Sequence, residues 1–355
     1  MLSAALQFLV AAAVIVVAGT FLSRFADVIA EVTGLGRLLI GSILLAGATS
    51  LPELAVDINA VRMKLPNIAV GDLMGSSLMN LLILGIIDLL PGSRGRALSR
   101  ISAAHALPGT LAIVLTALAA LAIVTRSSMS IYNVSVAGLG IALAYLFGMR
   151  MVYMDQKLGA PLHTADPSVV SHAAQPRALA KAIAGFAAAA LVILIAAPFL
   201  ARAADELAHR SGLGGTFVGT TLVAISTSLP ELVASLAALR IGAPDLALGN
   251  ILGSNVFNMV LLFPLDLAYP GQLFTDVSTT HALTAMATIV VTAIVIMGQL
   301  YQAERRVRLV EPDGLLIVVL VLGSLAMVFF QRDPEPPAPA LRPTAPVLVQ
   351  FETQR

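Results

Sequence analysis

Two glutamates stand where charge is expensive. Glu53 and Glu231 each follow a proline (Pro52, Pro230) inside long apolar sequence, in the segments GATSLPEL and ISTSLPEL. A carboxylate at membrane depth costs several kcal/mol, so intramembrane acids mark ion or substrate pathways by default. Proline supplies no N–H and clashes with the carbonyl four residues back. It therefore disturbs the helix at Ala48–Thr49 and at Ser226–Thr227, and frees carbonyl oxygens toward whatever the glutamate faces. Helical spacing puts Thr49 beside Glu53 and Thr227 beside Glu231, and Ser50 and Ser228 add hydroxyls one position round. A second pair of segments, GDLMGSSLMN and GNILGSNVFN, carries Ser76 with Asn80 and Ser254 with Asn258, again four residues apart. The inventory is two carboxylates, hydroxyls, side-chain amides and free carbonyls. It is all oxygen and no sulfur, which suits a hard cation: Ca²⁺ takes about 6–8 oxygen ligands in a flexible shell. Two glutamates neutralise one Ca²⁺, and Na⁺ suits the same oxygens.

The elements that must position these groups are membrane helices. The chain has 355 residues, 58% hydrophobic and only 12% charged, with no cysteine. Soluble domains carry about 25% charged residues, so the chain is read as an all-α polytopic membrane protein. Disulfides and thiolate metal sites are excluded, and a net charge of +1 gives no footprint for nucleic acid. A helical span needs about 20 apolar residues. Ten such stretches are expected, at 3–24, 38–61, 68–90, 101–124, 130–150, 179–201, 216–239, 246–268, 278–299 and 314–330.

The chemistry-bearing stretch occurs twice. Residues 34–90 and 212–268 align without a gap at an offset of 178, with 23 of 57 positions identical. The likeness continues upstream, AGTFLSRFADVIA against AAPFLARAADELA, and downstream, ISAAHALPGTLAIVLTAL against VSTTHALTAMATIVVTAI. Each half is thus one unit of five spans. Five is odd, so the halves enter the membrane in opposite directions: an inverted-topology repeat, which places a transporter's site near the midplane where the halves meet. The expected organisation is a first half at 1–150, a linker at 151–176, a second half at 177–330 and a proline-rich disordered tail at 331–355. Basic clusters at 94–100 and 305–308 place both termini outside by the positive-inside rule. Arg62 and Arg240 are read as interfacial anchors, Asp88 and Asp266 as interfacial, and the mates His105 and His281 as interfacial caps.

The paired motifs GATSLPE with GDLMGSSLMN and ISTSLPE with GNILGSNVFN resemble the alpha-repeats of the sodium/calcium exchanger (cation/calcium exchanger) superfamily. The resemblance covers essentially all spans and is of the bacterial type without a regulatory domain. It implies that the second, third, seventh and eighth helices build the ion sites. Glu53 and Glu231 would be central calcium ligands, and Thr49 and Thr227 would contribute backbone carbonyls. Ser50, Ser228, Ser76, Ser254, Asn80 and Asn258 would complete adjoining sodium sites. The first and sixth helices would slide against the rest to alternate access.

Three positions depart from the family pattern. Members often carry an aspartate at the position of Asn258, whereas here Asn80 and Asn258 are both asparagine. Asp72 replaces the asparagine expected in the motif, and its mate is Asn250. Asp57 lies one turn beyond Glu53, where the mate is Ser235. Asp57 and Asp72 are candidates for an ion path, against a plainer reading as vestibule or helix-end residues.

The expected function is exchange of Na⁺ for Ca²⁺ by alternating access, in a bacterial inner membrane. No enzyme activity, cofactor, nucleic acid or protein partner is expected; the partners are the two ions and the bilayer. A Ca²⁺/H⁺ antiporter and a cation channel are the alternatives. An intramembrane hydrolase is disfavoured, because no H-E-x-x-H is present and no histidine lies in either serine motif.

Overall fold

The computed structural model describes residues 2–89, 106–131, 134–159, 176–210, 226–300 and 312–330. These residues are almost wholly helical, as apolar sequence without solvating water must be. Helix α1 spans Leu2–Thr33. Helix α2 (Arg37–Thr49) contains a π-helical turn at Gly41–Leu45, and α3 (Leu51–Arg62) follows at a bend of 47°. Next come α4 (Pro66–Leu89) and α5 (Ala106–Val124). A two-residue hairpin of β1 (Ser130–Ile131) and β2 (Val134–Ser135) leads into α6 (Val136–Gly159). The chain continues with α7 (Pro176–Arg210), α8 (Leu229–Arg240) and α9 (Pro244–Ala268). It ends with the single turn α10 (Leu273–Asp276), then α11 (Thr280–Leu300) and α12 (Pro312–Phe330).

Seven of these helices are long and apolar enough to cross a membrane, or eight when α2 and α3 count as one broken span; α12 is a shorter apolar helix. The first half of the expected seventh span, 216–225, lies outside the described residues, as do 101–105, His105, most of the linker and the tail. Several spans run past their expected ends. α1 continues to Thr33, α6 to Gly159 and α7 to Arg210, because their polar continuations keep helical propensity with no proline or glycine to stop them. The start of the fifth span is a correction: Ser130–Ile131 pairs with Val134–Ser135, and the helix begins at Val136.

The offset of 178 holds in the backbone. α3 and α8 are both twelve-residue helices with matching ends, and each is preceded by a serine that breaks the helix. Lys64 and Gly242, mates in the following turns, both adopt positive φ (61° and 78°). Pro66 and Pro244 then start α4 and α9, where a missing N–H costs nothing.

Helices α4 and α9 form the centre. Leu73, Leu78, Leu81 and Leu84 of α4 and Leu246, Ile251, Leu252 and Leu262 of α9 are fully enclosed or nearly so. α1, α6 and α7 lie outside them and turn Leu6, Leu9, Leu143, Phe147, Leu191 and Ile195 outward, as a lipid-facing surface requires. α2 crosses α9 backbone to backbone. A Cβ on Gly253 would lie 2.5 Å from Ser42 Cα, and one on Gly249 would lie 2.5 Å from the Leu38 carbonyl oxygen. The two glycines thus allow the close approach of the helices. A Cβ on Gly71 would instead lie 3.1 Å from the His281 ring, and among the described residues nothing lies within 4 Å of a Cβ on Gly75.

Candidate ion-binding site

Each glutamate sits in the first turn of a short helix that follows a broken one. The break falls at Ser50 (φ −87°, ψ −2°) and identically at Ser228 (φ −86°, ψ 7°), one residue beyond the pair that proline was expected to disturb. Proline explains the position. Pro52 and Pro230 occupy the first turn of α3 and α8, where the absent N–H is harmless, and neither proline can donate to the carbonyl four residues back, so the helical bonding is interrupted just before it, at Ser50 and Ser228. The geometry serves both signs of charge. The N-terminus of α3 favours the Glu53 carboxylate, and the carbonyl end of α2 favours a cation.

The break brings the expected residues into one enclosed region. Thr49, Ser50, Glu53, Ser76, Asn80, Ser228, Glu231, Ser254 and Asn258 are all buried, and Thr227 is half-buried. Glu53 faces the Ser76 hydroxyl and Glu231 faces Thr49, and the two carboxylates act on one another electrostatically. The Thr49 hydroxyl, however, donates to the carbonyls of Leu45 and Ala46, each at 3.1 Å. Both oxygens of Glu231 are left without a donor.

The same is true of Ser50 Oγ, Ser228 Oγ, Ser254 Oγ, Asn80 Oδ1 and Asn258 Oδ1, which are buried with no hydrogen-bond partner. A buried polar atom left unsatisfied costs about 1–3 kcal/mol. Unpaired oxygens from both halves, gathered around two carboxylates, form a set of lone pairs that a cation satisfies. Among the described residues no three His, Cys, Asp or Glu side chains converge as a metal cluster, so hydroxyls and amides must supply most of the ligands.

A second layer aims the amides. The Asn80 amide nitrogen donates to Asn255 Oδ1 at 3.0 Å, and the Asn258 amide nitrogen donates to Ser77 Oγ at 3.3 Å and to the Leu73 carbonyl at 3.4 Å. Ser77 and Asn255 are themselves repeat mates, so the two bonds are reciprocal between the halves. Each bond occupies the NH₂ end of an amide and turns its oxygen the other way. Sequence reading missed Ser77 and Asn255. The signal was present: both are polar positions between Ser76 and Asn80, or Ser254 and Asn258, in otherwise apolar helices.

Asp57 is fully buried, and Asp72 is partly exposed. Asp88 and Asp266, at the span ends, are buried within the protein. The Asp266 carboxylate accepts the Ser135 N–H at 2.9 Å before α6, and Asp88 packs against Gly314 of α12. His281 is half-buried and pairs with Asn67 at 3.2 Å, while Asn67 also accepts the Ser278 N–H at 2.7 Å. Arg62 and Arg240 end α3 and α8 and are exposed.

Residues 3–154 and 181–330 match the sodium/calcium exchanger protein family. The chain belongs to the sodium/calcium exchanger family. It is a membrane transporter of the cation/calcium antiporter class rather than an enzyme. A putative antiporter, CaxA of Alkalimonas amylolytica, is 28% identical over 86% of this chain and 92% of its own. Sodium/calcium exchanger MaX1 of Methanosarcina acetivorans is 30% identical over a shorter stretch, 39% of this chain and 38% of its own. Solved structures of the sodium-calcium exchanger NCX_Mj share the fold. One soaked with 10 mM Na⁺ and zero Ca²⁺ superposes with a TM-score of 0.66 over 92% of this chain and 99% of that one, at 18% identity. One soaked with 2.5 mM Na⁺ and 1 mM Sr²⁺ gives 0.68 over 91% and 97%, also at 18% identity. In this exchanger the two Ser–Leu–Pro–Glu breaks, α4 and α9 together frame the candidate site.

Proposed function

We propose that the chain exchanges Na⁺ for Ca²⁺ by alternating access, with Glu53 and Glu231 as the central calcium ligands. The observation that carries this is the enclosed set of unpartnered oxygens, drawn from both halves and arranged about the two glutamates. Thr49 and Thr227 provide carbonyls at the helix breaks. Ser50, Ser228, Ser76, Ser254, Asn80 and Asn258 provide the oxygens that Na⁺ shares. The two ions compete for overlapping ligands, so loading one expels the other.

Ten spans in two inverted halves supply the frame. The matched ends of α3 and α8, and the odd span count per half, support this reading. α1 and α7 pack along each other through small apolar residues, Ala18, Ala26, Ala189 and Ala190 among them. A surface of that kind holds helices together without locking their register, which suits sliding. One side-chain hydrogen bond ties α1 to α8, from Ser23 Oγ to the Ala234 carbonyl at 2.7 Å. Both termini lie outside, on the distribution of basic residues in the loops.

The test is Ca²⁺ uptake into proteoliposomes driven by an outward Na⁺ gradient at equal pH on both sides. Uptake that needs the Na⁺ gradient supports the proposal. Uptake driven by a pH gradient and indifferent to Na⁺ replaces it with Ca²⁺/H⁺ exchange. Flux that neither saturates nor requires a counter-ion points to a channel.

A further inference from the structure

The two halves differ most sharply at one pair of positions. In the second half Asn250 and Ser235, both fully buried, satisfy each other: the Asn250 amide nitrogen donates to Ser235 Oγ at 3.0 Å. The same nitrogen also reaches the Glu231 carbonyl at 3.4 Å, and Asn250 Oδ1 accepts from Thr49 at 3.5 Å. In the first half these two positions are Asp72 and Asp57. The backbone elements have matching ends, but the hydrogen-bonded amide and hydroxyl are replaced by two carboxyl groups. Neither carboxylate brings a donor for the other. Asp57 is 0% exposed, and both of its oxygens are without a hydrogen-bond partner.

By the repeat, Asp57 and Asp72 occupy the positions whose mates, Ser235 and Asn250, lie at hydrogen-bond distance in the second half. Among the described residues no salt bridge reaches Asp57 or Asp72; the ion pair they form is Arg37 with Asp27. Two carboxylates held together without a donor repel, and a buried charge is retained only when it is paired or coordinates a metal.

We propose that Asp57 and Asp72 form an accessory site for a hard divalent cation, present in the first half only and in series with the central cage. Two carboxylates neutralise a 2+ ion, and their oxygens match Ca²⁺ rather than a softer metal. Asp57 lies one helical turn from Glu53, and Asp72 one turn from Ser76, so an ion here is next in line for the cage. Asp72 is the partly exposed member, which gives the site its route of entry. The position of the site in the queue rests on the central reading of Glu53 and Glu231, but its existence does not.

The test is Ca²⁺ binding by equilibrium dialysis and calorimetry on the purified, detergent-solubilised full chain in Na⁺-free buffer. Three forms are compared: wild type, E53Q/E231Q and D57S/D72N. The last installs the self-satisfied pair of the other half, so folding is expected; D57N/D72N is the isosteric substitute, and melting curves check both. The expected result is one fewer bound Ca²⁺ in D57S/D72N than in wild type, with one equivalent retained by E53Q/E231Q. An unchanged number of equivalents in D57S/D72N and D57N/D72N overturns the accessory site. So does a change confined to the pH dependence of binding, which would mean that the pair holds protons. An unaltered titration in E53Q/E231Q refutes the central site instead and leaves the D57S/D72N comparison decisive for this one.

Discussion

Asn80 and Asn255 join the two halves of the exchanger through a 3.0 Å hydrogen bond from the Asn80 amide nitrogen to Asn255 Oδ1. The bond runs between α4 and α9, and its reciprocal runs from Asn258 to Ser77. The side-chain carbonyl of Asn80 and that of Asn258 are thus each oriented by a side chain of the other half. On the proposed reading of these carbonyls as ligands, ion binding is coupled to the packing of the two central helices.

Removing that orientation should weaken ion binding without removing a ligand. Partners that hold metal ligands from behind typically matter by about 10–100-fold in affinity. Asn255→Leu should lower Ca²⁺ affinity by about tenfold, within that range. Asn255→Asp keeps an acceptor for the Asn80 amide and should preserve more of the affinity. Isothermal titration of the two variants checks the order; equal affinities for Leu and wild type would refute it.

The carboxylates themselves carry the larger effect. Glu53→Gln and Glu231→Gln each keep shape and remove one charge. Interactions with a charged group are worth about 1.5–3 kcal/mol, so each variant should lose about 10–100-fold in Ca²⁺ affinity. Melting temperatures should not fall, because Glu231 has no hydrogen-bond partner to lose. Proteoliposome uptake together with thermal melts reads both. Full exchange in either variant would count against the site.

The candidate ligands were picked out in sequence because the repeat states each of them twice. All ten are buried or half-buried in the structure. The break itself was legible to within one residue, since proline acts on a fixed neighbour. The partners of Asn80 and Asn258 were not legible. They lie across the interface, about 180 residues away in sequence, and no local rule sets which polar position of a facing helix an amide will find. The burial of Asp88 and Asp266 was hidden for the same reason. Their position at span ends suggested an interface, but the backbone that covers them comes from other helices.

Asp266 accepts the Ser135 N–H just before α6, and Ser135 Oγ in turn caps the helix at the Gly138 N–H. Asp266→Ala should therefore cost about 1.5–3 kcal/mol of stability, the range for a hydrogen bond to a charged group. Detergent-solubilised protein should melt several degrees lower, while the folded fraction keeps its Ca²⁺ affinity. A fall in affinity at unchanged melting temperature would contradict a purely structural role.

Pro52 sets where α2 ends. Pro52→Ala restores an N–H that can bond the Ala48 carbonyl and carry the helix through Ser50. The 47° bend should relax and draw the carbonyl end of α2 away from the cage. The expected outcome is a melting temperature equal to or above wild type with Ca²⁺ affinity reduced by about tenfold, roughly the 1.4 kcal/mol equivalent of one neutral ligand. Pro230→Ala should behave alike, because Ser228 has the backbone angles of Ser50. Loss of stability without loss of affinity in both would show that the prolines serve folding alone.

Gly253 tests how tightly α2 is seated on α9. A Cβ there would lie 2.5 Å from Ser42 Cα and 2.6 Å from the Ser42 carbonyl oxygen. Both are backbone atoms, so no rotamer change relieves the clash and the helices must separate. Overpacking of this kind costs about 1–3 kcal/mol. Ser254, whose buried hydroxyl has no partner, follows Gly253 directly, so the displacement also moves a proposed ligand. Gly253→Ala should therefore lower both melting temperature and Ca²⁺ affinity. Gly75→Ala, its repeat mate, meets nothing within 4 Å among the described residues and should leave stability within about 0.5 kcal/mol of wild type. Parallel melts and titrations of the two variants decide it: equal effects would mean that the α2–α9 crossing does not position the site.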